Sequence, residues 1–564
     1  MKKFGLEKYT LKDFFEQVVN RYGDRPALAF VDETPITYRE FGQKVKILQK
    51  LLRETGIKKG DHLAILGPSS PNWAITFMAI TTMGAVAVPI LEEFPESDIN
   101  HILHHSDSKG LFISAALYES MELSAADKLN FVISLDDFSV LFTRQEHSNI
   151  VEVLSSLPEQ IKKKILKTEE PVRVDEEIRE DDVAEIIYTS GTTGFSKGVM
   201  LTHGNLVSNL FEGPDLLGVI NEKSVILLFL PMAHTFGSTS GFLSIIYCGS
   251  LIYFMRKKPS PKILLSTMKK VKPTIIGAVP LIFEKIYHKR ILPMITGKKI
   301  LSMAHKWDKG KKVLYKIIGK KVLDMFGGRL ECAIIGGASL SSEVEQFLRW
   351  GNIPYALGYG LTECSPLVTF SSMENAKFGS VGHAITDVEI KIENKDPKTG
   401  IGDILVKGPN VMKGYYKNEE ATNEVFTENG WFITGDKGRL DEDGFLYITG
   451  RTKNVIIGPS GENIYPEAIE GKFKQSLLVE EIFVHEMDGK LVARIYPDFE
   501  YINSIYSDLN EEELSGKIPE LMEQLRLEMN ANLPASSKIA KIIIHYEPFS
   551  KTPTNKIKRY EYLK

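Results

Sequence analysis

Residues Tyr188–Gly198 read YTSGTTGFSKG and follow the apolar-leaning run AEII at Ala184–Ile187. A strand that runs into such a loop builds a cradle for phosphate. Gly191, Gly194 and Gly198 let the backbone approach an anion and turn N–H groups toward it. Ser190, Thr192, Thr193 and Ser196 add hydroxyl donors, and Lys197 brings a compact positive charge. The loop is not a Walker A motif, which needs Gly, four residues, Gly, Lys and Ser/Thr. Here Ser196 stands five positions after Gly191, where that motif needs glycine, and Lys197 is followed by Gly198. A surface loop merely rich in Gly, Ser and Thr has the same composition, so the surroundings decide.

Outward from this loop stand LPMAHTFG at Leu230–Gly237, IIGGASL at Ile334–Leu340 and LGYGLTE at Leu357–Glu363. GWFITGD follows at Gly430–Asp436, GRTKN at Gly450–Asn454 and SKTPTNKIKR at Ser550–Arg559. In these motifs, their order and their spacing, the chain resembles the adenylate-forming superfamily. That superfamily comprises the acyl-CoA synthetases, the adenylation domains of peptide synthetases and the beetle luciferases. The resemblance covers nearly the whole chain. It implies an α/β fold with a large N-terminal domain of stacked sheets with helices, residues 1–451. A small mobile C-terminal α+β domain, residues 452–564, would follow.

The chemistry explains why such residues are needed. A carboxylate is a poor acyl donor because its leaving group would be oxide. Joining it to the α-phosphate of ATP makes a good leaving group. The site then requires a phosphate grip, a metal, a nucleoside grip and a cation at the forming bond.

The resemblance assigns each. Thr189, Ser190, Gly191, Thr192, Thr193, Gly194 and Lys197 would hold the β- and γ-phosphates. Glu363, beside Thr362, would contact Mg2+ as a hard oxygen ligand. Tyr359, followed by Gly360, would stack on adenine, with Gly337 and Ala338 as a thin wall. Asp436 would accept from the ribose hydroxyls and Arg451 donate to the same sugar. Lys556 would bridge the substrate carboxylate and the α-phosphate, so Lys556, Glu363 and Thr189 form the catalytic set. Asn555 stands where the family usually has glycine; asparagine tolerates positive φ best among the substitutes.

Gly336 and His234 match positions lining the substrate tunnel, although His234 fits a packed turn equally well. Some long-chain synthetases carry a tryptophan gate where this chain has Ser238. Lys453 occupies the family's hinge position, and Gly458, Gly461 and Glu462 lie in the loop that meets the pantetheine arm of coenzyme A. ATP, Mg2+ and coenzyme A are thus expected, with a fatty acid as substrate. The fatty-acid assignment comes from likeness of GAVPLIFEKIY and GRTKNVIIGPSGENIYPEAIE to bacterial long-chain enzymes. An acyl carrier protein is the alternative acceptor, and a non-catalytic lipid or nucleotide sensor the alternative class. Glu363, Asp436, Arg451 and Lys556 together argue against a sensor, which has no use for Lys556.

Bulk properties bound the rest. A chain of 564 residues exceeds one core, so more than one domain is expected. A net charge of -4 offers no general attraction to nucleic acid. The start, MKKFGLEKYTLKDFF, lacks the apolar core of a signal peptide, and Gly241–Met255 is too short to span a bilayer. Cys248, Cys332 and Cys364 have no metal-ligand spacing. A cytoplasmic location follows, with peripheral contact on the inner membrane face as an addition.

Apolar periodicity predicts helices over Leu11–Tyr22, Tyr38–Glu54 and Ala74–Met83. Strands are predicted over Ala27–Phe30, His62–Leu66 and Ala85–Ile90. Their alternation points to parallel sheets with helical layers. The segment Lys285–Lys321 is rich in lysine, has Asp308 as its acid, and interleaves Ile300, Met303, Trp307, Leu314 and Ile317. It reads as a basic amphipathic helical pair, suited to an anionic membrane surface or else a solvated face.

Overall fold

The computed structural model describes residues 3–123, 128–144, 177–189, 196–458, 463–552 and 556–563. The predicted elements form with small shifts. The helix expected from Ala74 begins at Pro71 instead. Ser70 accepts the Trp73 N–H and Pro71 takes the first helical position, so the stretch PSSPNW contains the helix start.

Among the described residues the sheets are a nine-stranded and an eight-stranded one, with smaller ones beyond. Pro26–Phe30, Val225–Leu228, Leu251–Phe254, Ile275–Ala278, Cys332–Ile335 and Tyr355–Gly360 run parallel in the first. The second has a parallel centre of His62–Leu66, Val86–Ile90, Gly110–Ile113 and Val183–Thr189. Helices fill the space between the sheets. Pro71–Thr82 is buried from Trp73 to Thr82, the pattern of a helix apolar on every side and enclosed on every side. It shares one core with Phe14, Phe41, Leu48, Leu201, Ile226 and Phe254, drawn from both sheets and their helices.

A four-stranded antiparallel sheet comprises Glu389–Glu393, Gly402–Lys407, Phe432–Leu440 and Leu446–Arg451. Beyond Arg451 the chain has a hydrophobic core of its own. Phe473, Ile482, Val484, Ile495, Ile502 and Met522 pack between the strands Val479–Met487, Lys490–Pro497 and Lys541–Ile544 and the helix Glu511–Ala531. No described helix is long and apolar enough to cross a membrane.

Candidate functional site

The strand Val183–Thr189 returns antiparallel through Lys197–Thr202, with Thr189 opposite Lys197. The two ends of the phosphate-type loop, Thr189 and Lys197, are therefore adjacent across a strand pair. Ser190, Gly191, Thr192, Thr193 and Gly194 lie outside the described residues. Gly414–Tyr415 extends the same sheet by pairing with Val199 and Met200. This pairing brings Tyr415 to the foot of the loop. Lys197 Nζ stands 4.8 Å from the centre of the Tyr415 ring. The Tyr415 hydroxyl donates to Glu363 Oε1 at 3.0 Å. Tyr415 thus ties the loop's cation to the carboxylate; sequence reading overlooked it, since GYYKN carries no mark beyond two aromatics.

Glu363 follows the last parallel strand of the large sheet. Its carbonyl accepts the Met412 N–H at 2.8 Å, fixing the short helical turn Thr362–Cys364. Gly360 is required just before it: a Cβ there would lie 1.9 Å from the Pro366 carbonyl oxygen. Glu363 makes no ion pair among the described residues, and no described cluster of three His, Cys, Asp or Glu side chains forms a metal cage. A lone carboxylate with one oxygen held by a hydroxyl suits Mg2+, which keeps most of its waters and takes one or two protein oxygens.

Asp436 and Arg451 face each other across the Phe432–Leu440/Leu446–Arg451 ladder. Arg451 Nε forms an ion pair with Asp436 Oδ1 at 2.8 Å, and the Tyr359 hydroxyl donates to Asp436 Oδ2 at 2.6 Å. Thr434 Oγ1 accepts the Asp436 N–H at 3.1 Å. Burial raises the Asp436 carboxyl pKa; Arg451, Tyr359 and the charge of Lys556 pull it back. Burial, with Asp436 beside it, likewise pushes the Tyr359 phenol up. Gly336 and Gly337 end the neighbouring strand Cys332–Ile335, and Gly337 has φ +83°, a conformation open to glycine. Gly337 and Ala338 are exposed, forming an edge without bulk beside Tyr359.

Lys556 arrives from the other end of the chain. Its N–H donates to Thr552 Oγ1 at 3.1 Å, and its carbonyl accepts the Thr552 N–H at 2.8 Å. Lys551 pairs with Glu481 and Arg559 with Glu470, anchoring both flanks of this tight turn. Although its surface opens onto the cleft, desolvation by the surrounding protein lowers its pKa, and Arg451 lowers it further. Asp436 and Glu363 act in the opposite sense. The ammonium is therefore within electrostatic reach of the nucleoside-side pair and the metal-type carboxylate together. Asn555 lies outside the described residues.

His234 completes the ring. Its carbonyl accepts from Gly237 and Ser238, and its Nδ1 accepts the Phe236 N–H at 3.2 Å. Burial, then the charge of Lys556, pushes its pKa down to about 4. The backbone of His234 builds a packed turn, and the charge of Lys556 reaches its ring.

Lys453 is exposed in the short turn Thr452–Asn454. Thr452 and Asn454 on either side bond Asp403 and Glu467. Gly458 is buried; Gly461 and Glu462 lie outside the described residues. The basic segment divides in two. Lys289 pairs with Glu480 at 3.1 Å, Asp498 at 3.3 Å and Glu500 at 3.8 Å, and Lys285 with Glu480 at 3.7 Å. These two lysines face acids from the C-terminal part rather than a free surface.

The family model described as AMP-binding enzyme matches residues 15–416. The long-chain-fatty-acid–CoA ligase FadD15 of Mycobacterium bovis is 30% identical over 487 residues, spanning 80% of this chain and 75% of that protein. The Arabidopsis thaliana long-chain-fatty-acid–[acyl-carrier-protein] ligase AEE15 is 28% identical over 631 residues, spanning 98% and 84%. Among solved structures, the anthranilate CoA ligase AuaEII with anthranoyl-AMP matches with a TM-score of 0.76 at 20% identity, covering 100% of this chain and 98% of that one. The o-succinylbenzoate CoA synthetase MenE from Bacillus subtilis, with ATP and magnesium, matches with a TM-score of 0.72 at 23% identity over 97% and 98%. These structural matches establish the fold.

Proposed function

Because this chain belongs to the AMP-binding enzyme family, we propose that it activates a fatty acid with ATP and passes the acyl group to coenzyme A. Acyl-adenylate and pyrophosphate form first; the thiol then displaces AMP. The observation that carries the reading is the placement of Lys556, on which Arg451, Asp436 and Glu363 all act and whose charge reaches Asp436 and His234. A cation delivered there lies where negative charge accumulates as carboxylate attacks phosphate.

In this reading the Thr189–Lys197 loop grips the β- and γ-phosphates. Glu363 holds Mg2+, which neutralises phosphate charge when bound. Tyr359, with Gly337 and Ala338, receives adenine. Asp436 and Arg451 serve the ribose, exchanging part of their mutual bond for sugar hydroxyls. Gly336 and His234 border the acyl chain, and the neutral His234 ring adds no second cation beside Lys556. Residues 1–451 and 452–564 act as two domains hinged at Lys453, with Gly458–Glu462 meeting the thiol arm.

The long-chain-fatty-acid–CoA ligases among the relatives support the substrate and acceptor. The carrier-protein ligase among them keeps an acyl carrier protein as a second acceptor. Fatty acids partition into bilayers, so peripheral contact with the inner membrane face belongs to the same reading. Pyrophosphate release measured across carboxylic acids of increasing length, with coenzyme A and carrier protein offered separately, tests both points. Release with long-chain acids and thioester on coenzyme A is expected; release confined to aromatic or short acids overturns the substrate.

A further inference from the structure

The helices Lys299–His305 and Asp308–Met325 meet at a tight corner, where a Cβ on Gly310 would lie 2.4 Å from the Ala304 carbonyl oxygen. The inner face of the second helix is anchored: Leu314, Tyr315, Ile318 and Val322 pack on Phe283 and Phe347. The Tyr315 hydroxyl bonds both Tyr287 at 2.6 Å and His305 Nε2 at 2.9 Å, so the first helix is tied to the second. What faces outward is unusual. Ile300 is 82% exposed, Met303 63%, Trp307 64%, Val313 62% and Ile317 57%. Ile300 and Met303 fall three residues apart on the first helix, Trp307 stands in the link just after it, and Val313 and Ile317 fall one turn apart on the second, so the corner as a whole presents an apolar stripe. Lys298, Lys306, Lys309, Lys312, Lys316 and Lys320 are exposed around them, while the acids of the pair, Asp308 and Asp324, stand at the two ends of the second helix.

We propose that this corner docks the protein onto an anionic lipid bilayer, with Ile300, Met303 and Trp307 entering the headgroup layer and the surrounding lysines meeting lipid phosphate. Two features select this occupant. The lysine ring is complementary to negative surface charge. An apolar stripe carrying a tryptophan and flanked by lysines is the pattern of an interfacial helix, in which the ring sits at headgroup depth. An acidic protein partner would account for the lysines but leaves the stripe of Ile300, Met303 and Trp307 without a role. Lys285 and Lys289, engaged with Glu480, take no part. The proposal rests on the peripheral membrane contact in the reading above and names its surface; its test reads vesicle binding rather than turnover, so it fails separately from the enzymatic assignment.

Co-sedimentation of the full chain with vesicles tests it. Vesicles of phosphatidylglycerol mixed with phosphatidylcholine are compared with phosphatidylcholine alone, at low and high salt. Binding is expected for the anionic vesicles, weakening as salt rises. Ile300→Ser/Met303→Ser/Trp307→Ser and, separately, Lys306→Glu/Lys309→Glu/Lys312→Glu should each weaken it roughly tenfold or more. These side chains are exposed, so thermal melting and turnover on a soluble short-chain acid should remain those of the parent. Failure of the parent protein to bind anionic vesicles at low salt overturns the proposal. So does full binding by both triple variants. Self-association through this corner, or binding to acidic carrier protein that the apolar variant leaves intact, would also reassign the face.

Discussion

The nucleoside side of the site and its cationic side are built in opposite ways. Tyr359, Thr434 and Arg451 come from two sheets and meet Asp436 through two hydrogen bonds and an ion pair at 2.6–3.1 Å. Each is held before any ligand arrives. Lys556 comes from the far end of the chain, rides on a turn closed by Thr552 and by the Lys558 N–H bond to Ser550, and is exposed. The first side is suited to binding through preorganised polar groups, and the second to a charge that is brought in and withdrawn. A domain that must present a cation for one half-reaction and clear the way for a thiol in the next requires this asymmetry.

Freezing the hinge should break the comparison most severely. Lys453→Pro fixes φ near -65° at an exposed position between two anchored neighbours. Adenylation should persist while thioester formation stops, read by pyrophosphate release against acyl-thioester yield. Undiminished thioester output would mean that the chain pivots elsewhere.

Asp436→Asn should act on binding instead. It removes the carboxylate charge that pairs with Arg451 and accepts from Tyr359, and a hydrogen bond to a charged group is worth about 1.5–3 kcal/mol. The KM for ATP should rise roughly tenfold to a hundredfold, with a smaller change in kcat. A pure kcat loss would move Asp436 to the catalytic side.

Acid should act through His234. Its folded pKa of about 4 lies below the ordinary histidine value of 6.5. The unfolded state therefore binds the proton first as pH falls. The stability His234 contributes is complete above pH 6.5 and is lost as pH falls through about 4. Protonation also places a second cation beside Lys556. His234→Gln should flatten the acid limb of adenylation across that window, measured as a pH–rate profile. An unchanged limb would separate His234 from the lysine.

The smallest effect belongs to the Lys289 cluster. Its members are partly exposed, so each pair is worth only about 0.2–1 kcal/mol. Lys289→Glu should bias the two parts away from the present arrangement and slow adenylation a few-fold, with Glu480→Lys restoring it. Failure of the reversed pair to restore the rate would make the contact incidental.

Much of this was legible in the sequence because it depends on local patterns. Leu11–Tyr22 and Tyr38–Glu54 have a strong 3.6-residue period, and His62–Leu66 has the unbroken apolar run of a buried strand. Lys556, Asp436 and Glu363 stood out because motif order marks them. Tyr415 did not, because its importance arises from pairing between Gly414–Tyr415 and a strand more than two hundred residues earlier. The division of the lysines was equally hidden. Lys289 and Lys312 look alike in the chain, and only tertiary placement opposes one to Glu480 while leaving the other exposed. The early start of the Pro71–Thr82 helix was readable, since Ser before Pro is a helix-opening pair.

The most direct test of the asymmetry is Lys556→Ala, assayed in both half-reactions separately. Pyrophosphate release from ATP and fatty acid should fall by about 10²–10³, the usual cost of one well-placed electrostatic contact. Thioester formation from preformed acyl-adenylate should stay close to that of the parent enzyme. An equal loss in the two half-reactions would contradict the assignment of Lys556 as a charge delivered for adenylation.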